Sequence, residues 1–204
     1  MDRMDTMKSI AGEVSVCKKC RLWKTRAKTV PGEGPENAKI LLVGEAPGRN
    51  EDKTGRPFVG PAGKLLASLL EEARIDRSQV FITSILKCRP VEFTGKNETN
   101  RMRKKNRKPK TDEINRCVLY LLRQIEAMKP DVVCLMGKVA FESVSEFFMP
   151  EISYKEAFGK VIIADACGKK ICFITTYHPA YGIYNRDSRK IITAHFKRLQ
   201  EQKF

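Results

Sequence analysis

Short apolar runs alternate with amphipathic segments along most of the chain, and this alternation restricts the fold more than any other feature. Three runs are typical of buried strands because they are continuously apolar and rich in β-branched side chains: residues 39–43, 80–86 and 131–136. Apolar residues recur at helical spacing in three further segments: 61–74, 112–128 and 138–148. Strands that alternate with helices form a parallel sheet with helices on both faces, so the sequence predicts the α/β class.

The ends of the predicted strands are the places where functional side chains are expected. Residues 39–43 run directly into the loop 44–48, and residues 80–86 run into 87–90. Ligands of parallel sheets bind outside the carboxyl ends of the strands. Near the end of the chain, residues 160–164 and 170–175 predict either a hairpin or two sheet strands, and a last helix is predicted over 188–200.

The length and composition fit a soluble protein of one domain. The chain has 204 residues, 42% of them hydrophobic, which is enough for a single domain spanning residues 1–204. No apolar run approaches the roughly 18 to 20 residues of a membrane span, and the first residues lack the apolar core of a secretory signal. We therefore expect a cytoplasmic protein with no membrane partner.

Positive charge points to a polyanionic partner. The chain carries 39 Lys and Arg against 24 Asp and Glu, a net charge of +15, which favours nucleic acid because each neutralised phosphate releases counterions. The alternative is that basic residues only keep the protein soluble or reflect a hot habitat. Seven of the basic residues lie within 101–110, so residues 91–111, which lack apolar periodicity, are predicted to form an exposed basic loop.

Cysteine spacing indicates a metal site. Seven cysteines in a cytoplasmic chain do not suggest a disulfide framework, which is typical of small secreted proteins. Cys17 and Cys20 form a C-x-x-C pair, and Cys88 and Cys117 can complete a set of four thiolates. Zinc and an iron-sulfur cluster both take four thiolates, so spacing alone does not separate them. The remaining cysteines are predicted to be small buried side chains: Cys134, Cys167 and Cys172.

Five motifs, in order along nearly the whole chain, resemble those of the family 4 uracil-DNA glycosylases, members of the uracil-DNA glycosylase superfamily. They are GEAPG at 44–48, GRPFVGPAG at 55–63, KCRP at 87–90, EINRC at 113–117 and HPA at 178–180. Each motif alone is weak evidence. Together, and with four cysteines at the matching places, they are specific.

This resemblance implies a fold, an activity and a cofactor. The fold is a three-layer α/β/α sandwich with a central, mainly parallel sheet. The activity is hydrolysis of the N-glycosidic bond of a uracil flipped out of single- or double-stranded DNA, in base excision repair. Cys17, Cys20, Cys88 and Cys117 would hold a 4Fe-4S cluster. The enzyme would act as a monomer and could meet a replication or repair protein.

The resemblance also assigns roles to individual residues. Phe58 would stack on the flipped base, and His178 would donate a hydrogen bond to the base oxygen that gains charge. Backbone N–H groups of the loop that contains Ala46 and Gly48 would assist. Glu45 would help to place the base or the attacking water. The alternatives are a capping or surface histidine at 178 and a carboxylate that only shapes its loop at 45, with Glu51 and Asp52 as further carboxylates nearby.

Three positions depart from the patterns of the relatives. Ser84 stands where family 4 members usually carry a base-reading asparagine, so the substrate range is predicted to be wider or altered. Ala46 stands where better-known relatives carry a water-binding aspartate, so charge stabilisation should supply more of the rate. Gly48 replaces a bulky tyrosine that excludes thymine, so discrimination must come from elsewhere.

The segment 181–189 resembles a loop that enters the minor groove of DNA. Tyr181 and Arg186 are the predicted DNA contacts, with Ile183 and Tyr184 as further wedge residues. The alternative is a solvent-exposed loop with a few packed aromatic side chains.

Two other functions stay open. Ser84 and Gly48 would permit a glycosylase for hypoxanthine or xanthine. A catalytically silent iron-sulfur module that binds DNA is the third reading, and retention of Glu45, Phe58 and His178 argues against it.

Overall fold

A computed structural model describes residues 6–96 and 102–202. Its helices and strands follow one another along the chain as α1 (Met7–Val16), β1 (Ile40–Gly44), α2 (Arg49–Thr54), α3 (Pro61–Glu72), β2 (Val80–Ser84), β3 (Val91–Lys96), β4 (Met102–Asn106), α4 (Thr111–Met128), β5 (Val132–Met136), α5 (Lys138–Phe148), α6 (Tyr154–Ala157), β6 (Val161–Ala166), β7 (Lys169–Thr176), α7 (Pro179–Tyr184) and α8 (Arg186–Glu201). None of the described helices is long and apolar enough to cross a membrane.

A five-stranded sheet forms the centre of the fold. Its strand order is β2-β1-β5-β7-β6, and every neighbouring pair is parallel except β6 and β7. The predicted α/β class with a mainly parallel sheet is confirmed. The register pairs Gly44 with Ser84, so the carboxyl ends of β1 and β2 lie side by side.

Apolar layers cover both faces of this sheet. Successive side chains of a strand point to opposite faces. Leu41 and Val43 of β1 therefore pack with α4 and α5, whereas Ile40 and Leu42 pack with α3 and α8. These are the three layers of the predicted α/β/α sandwich.

The strands β6 and β7 form an antiparallel hairpin at one edge of the sheet, which is one of the two predicted arrangements. Residues Cys167 and Gly168 make the two-residue turn, with φ of 54° and 76°. Positive φ at both positions suits a turn whose twist matches the flanking strands. Gly168 adopts this conformation without strain because it has no Cβ.

Residues 91–111 differ from the prediction of an exposed loop. The part that the structure describes contains a two-stranded antiparallel sheet of β3 and β4, followed by four residues without regular structure before α4. The loop prediction was wrong because it relied on missing apolar alternation, which a strand pair shows only where one face is buried. Exposure was predicted correctly, since only Val91 of the two strands is buried. The predicted basic residue Arg101 lies outside the described residues.

Candidate active site

The main candidate site is a cavity of about 550 Å³ at the carboxyl ends of β1 and β2. The sheet register and the loop after β1 bring together the predicted base-binding and catalytic side chains. Six of them line the cavity: Glu45, Ala46, Gly48, Phe58, Ser84 and His178. Glu45 and His178, which are 133 positions apart in the sequence, thus meet in one place.

Phe58 is held in an uncommon backbone conformation that aims its ring into the cavity. Its φ is 51°, in the left-handed region that a side chain with a Cβ rarely adopts. Gly63 permits this, because a Cβ there would collide with the carbonyl of Phe58. Gly44 also leaves room, since a Cβ there would lie 2.8 Å from the ring. The ring is thereby fixed as a flat wall of the cavity.

His178 faces Phe58 across part of this wall. The two ring centroids are 5.6 Å apart and the planes are inclined by 27°. Nδ1 of His178 accepts a hydrogen bond from the backbone N–H of Ala180 at 3.2 Å and so caps α7. Because Nδ1 is the acceptor, the proton of a neutral imidazole is on Nε2. His178 is therefore a capping residue, as the alternative interpretation predicted, but only through Nδ1, and Nε2 is left as a donor.

Burial controls the charge of His178. Desolvation lowers the pKa of its imidazole to about 4, and the nearby carboxylate of Glu51 opposes this shift only in part. At neutral pH the ring is uncharged. A neutral imidazole still donates one hydrogen bond, through the nitrogen that carries its proton.

The carboxylates of Glu45 and Glu51 lie in different environments within the cavity. Burial raises the pKa of Glu45, and the positive charge of Lys108 opposes that effect. Glu51 is fixed by the backbone: its Oε1 accepts hydrogen bonds from the N–H groups of Val59 and Gly60, each at 2.9 Å. Its Oε2 lies 2.7 Å from the place that a Cβ of Gly48 would occupy. The space left by the missing side chain at Gly48 is therefore taken by Glu51.

Asp52, the other nearby carboxylate, has a structural role. It is buried, and its Oδ1 accepts a hydrogen bond from the backbone N–H of Ala27 at 2.9 Å. It does not line the cavity.

Ser84 is the last residue of β2 and is buried at the cavity wall. Beneath it lies Lys87, whose side chain is 1% exposed. The Nζ of Lys87 donates to Thr83 Oγ1, to the carbonyl of Ser84 and to Gln124 Oε1, at 2.6, 2.8 and 2.8 Å. Burial lowers the pKa of this amine to about 7. Lys87 thus fixes the end of β2, a role that its sequence position alone did not indicate.

Sequence reasoning missed one further group of cavity residues. They are Asn106, at the end of β4, and Arg107, which line the cavity together with Pro90 of the predicted KCRP motif. Arg107 is anchored by a bidentate pair with Glu113, at 2.6 and 2.8 Å. A segment without periodicity gives no signal that one of its residues returns to the site.

The four predicted cysteine ligands line a second, small cavity between α1, residues 87–90 and α4. Cys17, Cys20, Cys88 and Cys117 all contribute to it, and its surface is mostly apolar. Donors point at three of the sulfurs: Arg26 Nη1 to Cys88 and the N–H of Lys87 to Cys117, both at 3.3 Å, and the N–H of Lys19 to Cys17 at 3.5 Å. Burial raises the pKa of the Cys117 thiol to about 12, so a bound cation would be needed to hold a thiolate there at neutral pH.

The described residues contain no group of three or more His, Cys, Asp or Glu side chains placed around a single metal ion. The other three cysteines lie elsewhere: Cys134 and Cys172 are buried in β5 and β7, and half-buried Cys167 is in the hairpin turn.

The predicted DNA-contacting segment is helical rather than a loop. Residues 181–184 belong to α7, and α8 begins at Arg186 after Asn185, whose Oδ1 caps it by accepting from the N–H of Ser188 at 2.8 Å. The loop prediction was wrong because Pro179 occupies the first turn of α7 and His178 caps it. Tyr181 and Tyr184 are nonetheless 65% and 92% exposed beside the cavity, which Tyr184 lines.

The amino-acid sequence of the chain is similar to proteins of one family. The family described as "Uracil DNA glycosylase superfamily" matches residues 31–201. The chain is 43% identical to the type-4 uracil-DNA glycosylase of Sulfurisphaera tokodaii over 203 residues, covering 97% of this chain and 85% of that protein. It is 39% identical to the type-4 uracil-DNA glycosylase of Archaeoglobus fulgidus over 199 residues, covering 97% and 94%.

A solved structure supports the fold alone. The crystal structure of wild-type SMUG2 from Pedobacter heparinus is similar to this chain with a TM-score of 0.53 at 12% identity. The match covers 81% of this chain and 76% of that one.

Proposed function

The chain belongs to the type-4 branch of the uracil-DNA glycosylase superfamily, and we propose how its own residues remove uracil from DNA. The enzyme hydrolyses the N-glycosidic bond of a uracil that has left the base stack. The observation that carries the proposal is the cavity in which a neutral His178, the ring of Phe58 and the carboxyl of Glu45 converge. Its size and its place at the strand ends suit one flipped base.

Charge separation is the central demand of this reaction. As the bond to the base breaks, positive charge develops on the sugar and negative charge on the departing uracil. Nε2 of His178 carries its proton in the neutral ring, so it donates to the uracil oxygen that becomes anionic. The ring of Phe58 stacks on the base and holds its plane against this donor. No proton transfer is required for the stabilisation.

The attacking water needs an acceptor for its proton. Glu45 lines the same cavity, and its raised pKa makes its carboxylate a better proton acceptor than an exposed one. We propose that Glu45 orients this water while N–H groups of the loop from Ala46 to Gly48 support the base.

DNA binding is proposed to use two surfaces beside the cavity. Exposed Tyr181, Tyr184 and Arg186 would occupy the gap left by the flipped nucleotide. The basic strands β3 and β4 would contact the phosphate backbone.

The four-cysteine cavity is proposed to hold a 4Fe-4S cluster. Its mostly apolar lining and the N–H groups directed at its sulfurs suit a buried cluster. When bound, the cluster would link α1, residues 87–90 and α4. Cys17, Cys20, Cys88 and Cys117 are the proposed ligands.

The test is release of the base from a labelled single-stranded oligonucleotide that carries one uracil. Wild type should release uracil, and His178→Ala should lower the single-turnover rate roughly 100-fold or more, the cost of losing one donor to a developing anion. His178→Asn is the matched variant, since asparagine still caps α7 but does not extend to the position of Nε2. Equal rates in wild type and both variants would remove His178 from the mechanism.

A second substrate class is favoured by one observation. Ser84 offers the base a single hydroxyl, which can rotate to donate or accept. The same assay with hypoxanthine and xanthine tests this alternative. Absence of release from every substrate, in a protein that still binds DNA, would indicate the catalytically silent module.

A further inference from the structure

Asn106 reaches the active-site cavity from outside the motifs that define the rest of the site. It is the last residue of β4, where it pairs with Val91 at the base of the hairpin. Val91 is buried, and the N–H of Arg107 donates to the carbonyl of Pro90 at 3.3 Å. The base of the hairpin is therefore attached to the same segment that follows β2, so Asn106 has a defined position at the mouth of the cavity.

The amide of Asn106 has a fixed orientation. The Nε of Arg89 donates to its Oδ1 at 2.6 Å. A guanidinium group has no acceptor, so the opposite orientation of the amide would set two donors against each other. Arg89 is itself buried and held by the carbonyl of Lys104 at 3.4 Å. Arg89 therefore leaves Asn106 with its Nδ2 as the group that can bind another molecule.

That Nδ2 faces the wall of the cavity near Gly48. It lies 3.9 Å from the place that a Cβ of Gly48 would occupy. A donor at this point can bind only an oxygen or nitrogen that accepts a hydrogen bond, and Ser84, elsewhere on the same cavity lining, offers one rotatable hydroxyl rather than an amide.

We propose that Asn106 is a substrate-binding residue that donates a hydrogen bond from Nδ2 to an oxygen acceptor of the flipped nucleotide. Arg89 is then a positioning residue, because it acts only through the amide of Asn106. The acceptor is either a carbonyl oxygen of uracil or a phosphate oxygen flanking its sugar, which present the same chemistry to the amide. This inference rests on the proposed glycosylase function.

The test variant is Asn106→Asp. Aspartate has nearly the same shape and still accepts from Arg89, but it has no donor for the substrate. Asn115→Asp is the matched control, because it makes the same charge change at an exposed residue of α4 outside the cavity lining. We expect Asn106→Asp to lower the single-turnover rate on uracil-containing single-stranded DNA at least roughly 10-fold, while Asn115→Asp stays at the wild-type rate.

Modified substrates identify the acceptor and separate binding from a structural effect. The series contains 2-thiouracil, 4-thiouracil and a methylphosphonate at either phosphate that flanks the lesion, each of which weakens one acceptor. The modification that removes the partner of Asn106 should slow wild type but not Asn106→Asp, so the ratio of their rates falls to about 1. If a thiouracil brings the rate ratio to about 1, the acceptor of the hydrogen bond is a carbonyl oxygen of the base. If a methylphosphonate does so, the acceptor is a phosphate oxygen.

Either of two results would overturn the inference: a wild-type rate in Asn106→Asp, or a rate ratio that none of the four modifications changes. Both leave uracil release by wild type intact. If wild type itself released no uracil, the proposed function would fail, and the inference with it.

Discussion

At the scale of single residues, the two nitrogens of His178 explain why burial is useful rather than costly. Nδ1 accepts from the N–H of Ala180, which leaves the proton of the neutral ring on Nε2, and the lowered pKa keeps the ring neutral. A protonated imidazole would stabilise an anion more strongly but would have to be desolvated with its charge. The neutral ring avoids that penalty and still donates.

The lowered pKa of His178 predicts a pH dependence of stability. As the pH falls, the unfolded chain protonates this histidine near its ordinary pKa of about 6.5, whereas the folded protein does so only near 4. Stability from this group is therefore complete above about pH 6.5 and is lost as the pH falls toward 4, with about 2 kcal/mol lost by pH 5.

Urea unfolding of wild type and His178→Asn at pH 7 and pH 5 measures this effect. The free energy of unfolding should fall by about 2 kcal/mol more in wild type than in the variant. The same decrease in both proteins would show that His178 titrates normally in the folded state.

Ser84→Asn tests whether the missing amide sets the substrate range. We expect the variant to release uracil faster and to lower the rate on hypoxanthine relative to uracil, because an amide offers a fixed donor and acceptor to one base edge. Single-turnover rates on both substrates provide the measurement. Ser84→Ala is the control that removes the hydroxyl without adding an amide, and unchanged rate and preference in Ser84→Asn would reject the idea.

The sequence identified most residues of the cavity but not all of them. Glu45, Phe58 and His178 lie in motifs at strand ends, and the parallel sheet brings those ends together. Asn106 was not predictable, because its place depends on the pairing of β3 with β4 rather than on a local pattern. Glu51 fills the space beside Gly48, and this was not predictable either, because its carboxylate is held there by the N–H groups of Val59 and Gly60.

At the scale of secondary structure elements, prediction succeeded where a segment packs on the sheet. Helix α5 has the predicted bounds, and α4 and β5 agree within one residue of theirs. Helix α1 was not predicted, since only ten residues carry its pattern and only Met7, Ile10 and Val14 are buried. Its stability comes from packing near the cysteines and from a capping box between Thr6 and Ser9.

The hairpin of β3 and β4 predicts a measurable salt dependence. Arg103 and Lys105 are exposed on the same face of β4. If each contacts one phosphate, their replacement by alanine should weaken binding to duplex DNA and reduce the slope of log K against log salt by about 2. Fluorescence anisotropy with uracil-free DNA at several salt concentrations measures the slope.

The control for the hairpin is Lys155→Ala with Lys160→Ala, which removes the same charge from exposed positions in and after α6. This pair should leave the slope near its wild-type value. Equal losses in the two double variants would attribute the binding to net charge rather than to the hairpin.

At the scale of the whole molecule, the four cysteines come from parts of the chain that are distant in sequence. Cys17 and Cys20 follow α1, Cys88 follows β2, and Cys117 is in α4, which spans one face of the sheet. Their cavity is enclosed by a third apolar cluster that includes Ile10, Leu22 and Tyr120. A cluster bound there would stabilise the attachment of α1 and of the segment that follows it to the sheet.

Cys117→Ser should therefore lose iron and stability together. We expect loss of bound iron and a decrease in Tm of more than about 10 °C, because a bound metal group contributes its binding free energy to folding. Cys167→Ser, in the turn between β6 and β7, is the control that should keep both. Elemental analysis measures the iron content, and thermal unfolding measures Tm. If the wild-type protein contains zinc instead of iron, the proposed cofactor is wrong. If Cys117→Ser keeps its full iron content, Cys117 is not a ligand.

The six residues from Ser84 to Arg89 serve three structures at once. Ser84 lines the base cavity, Cys88 lines the cysteine cavity, and Arg89 orients Asn106. Insertion or deletion of a single residue here would displace all of these side chains from their contacts at the same time. The length of this stretch therefore cannot change without loss of the site. By contrast, a longer sequence could be inserted between β3 and β4, beyond the pairing that holds Asn106, without an effect on the reaction.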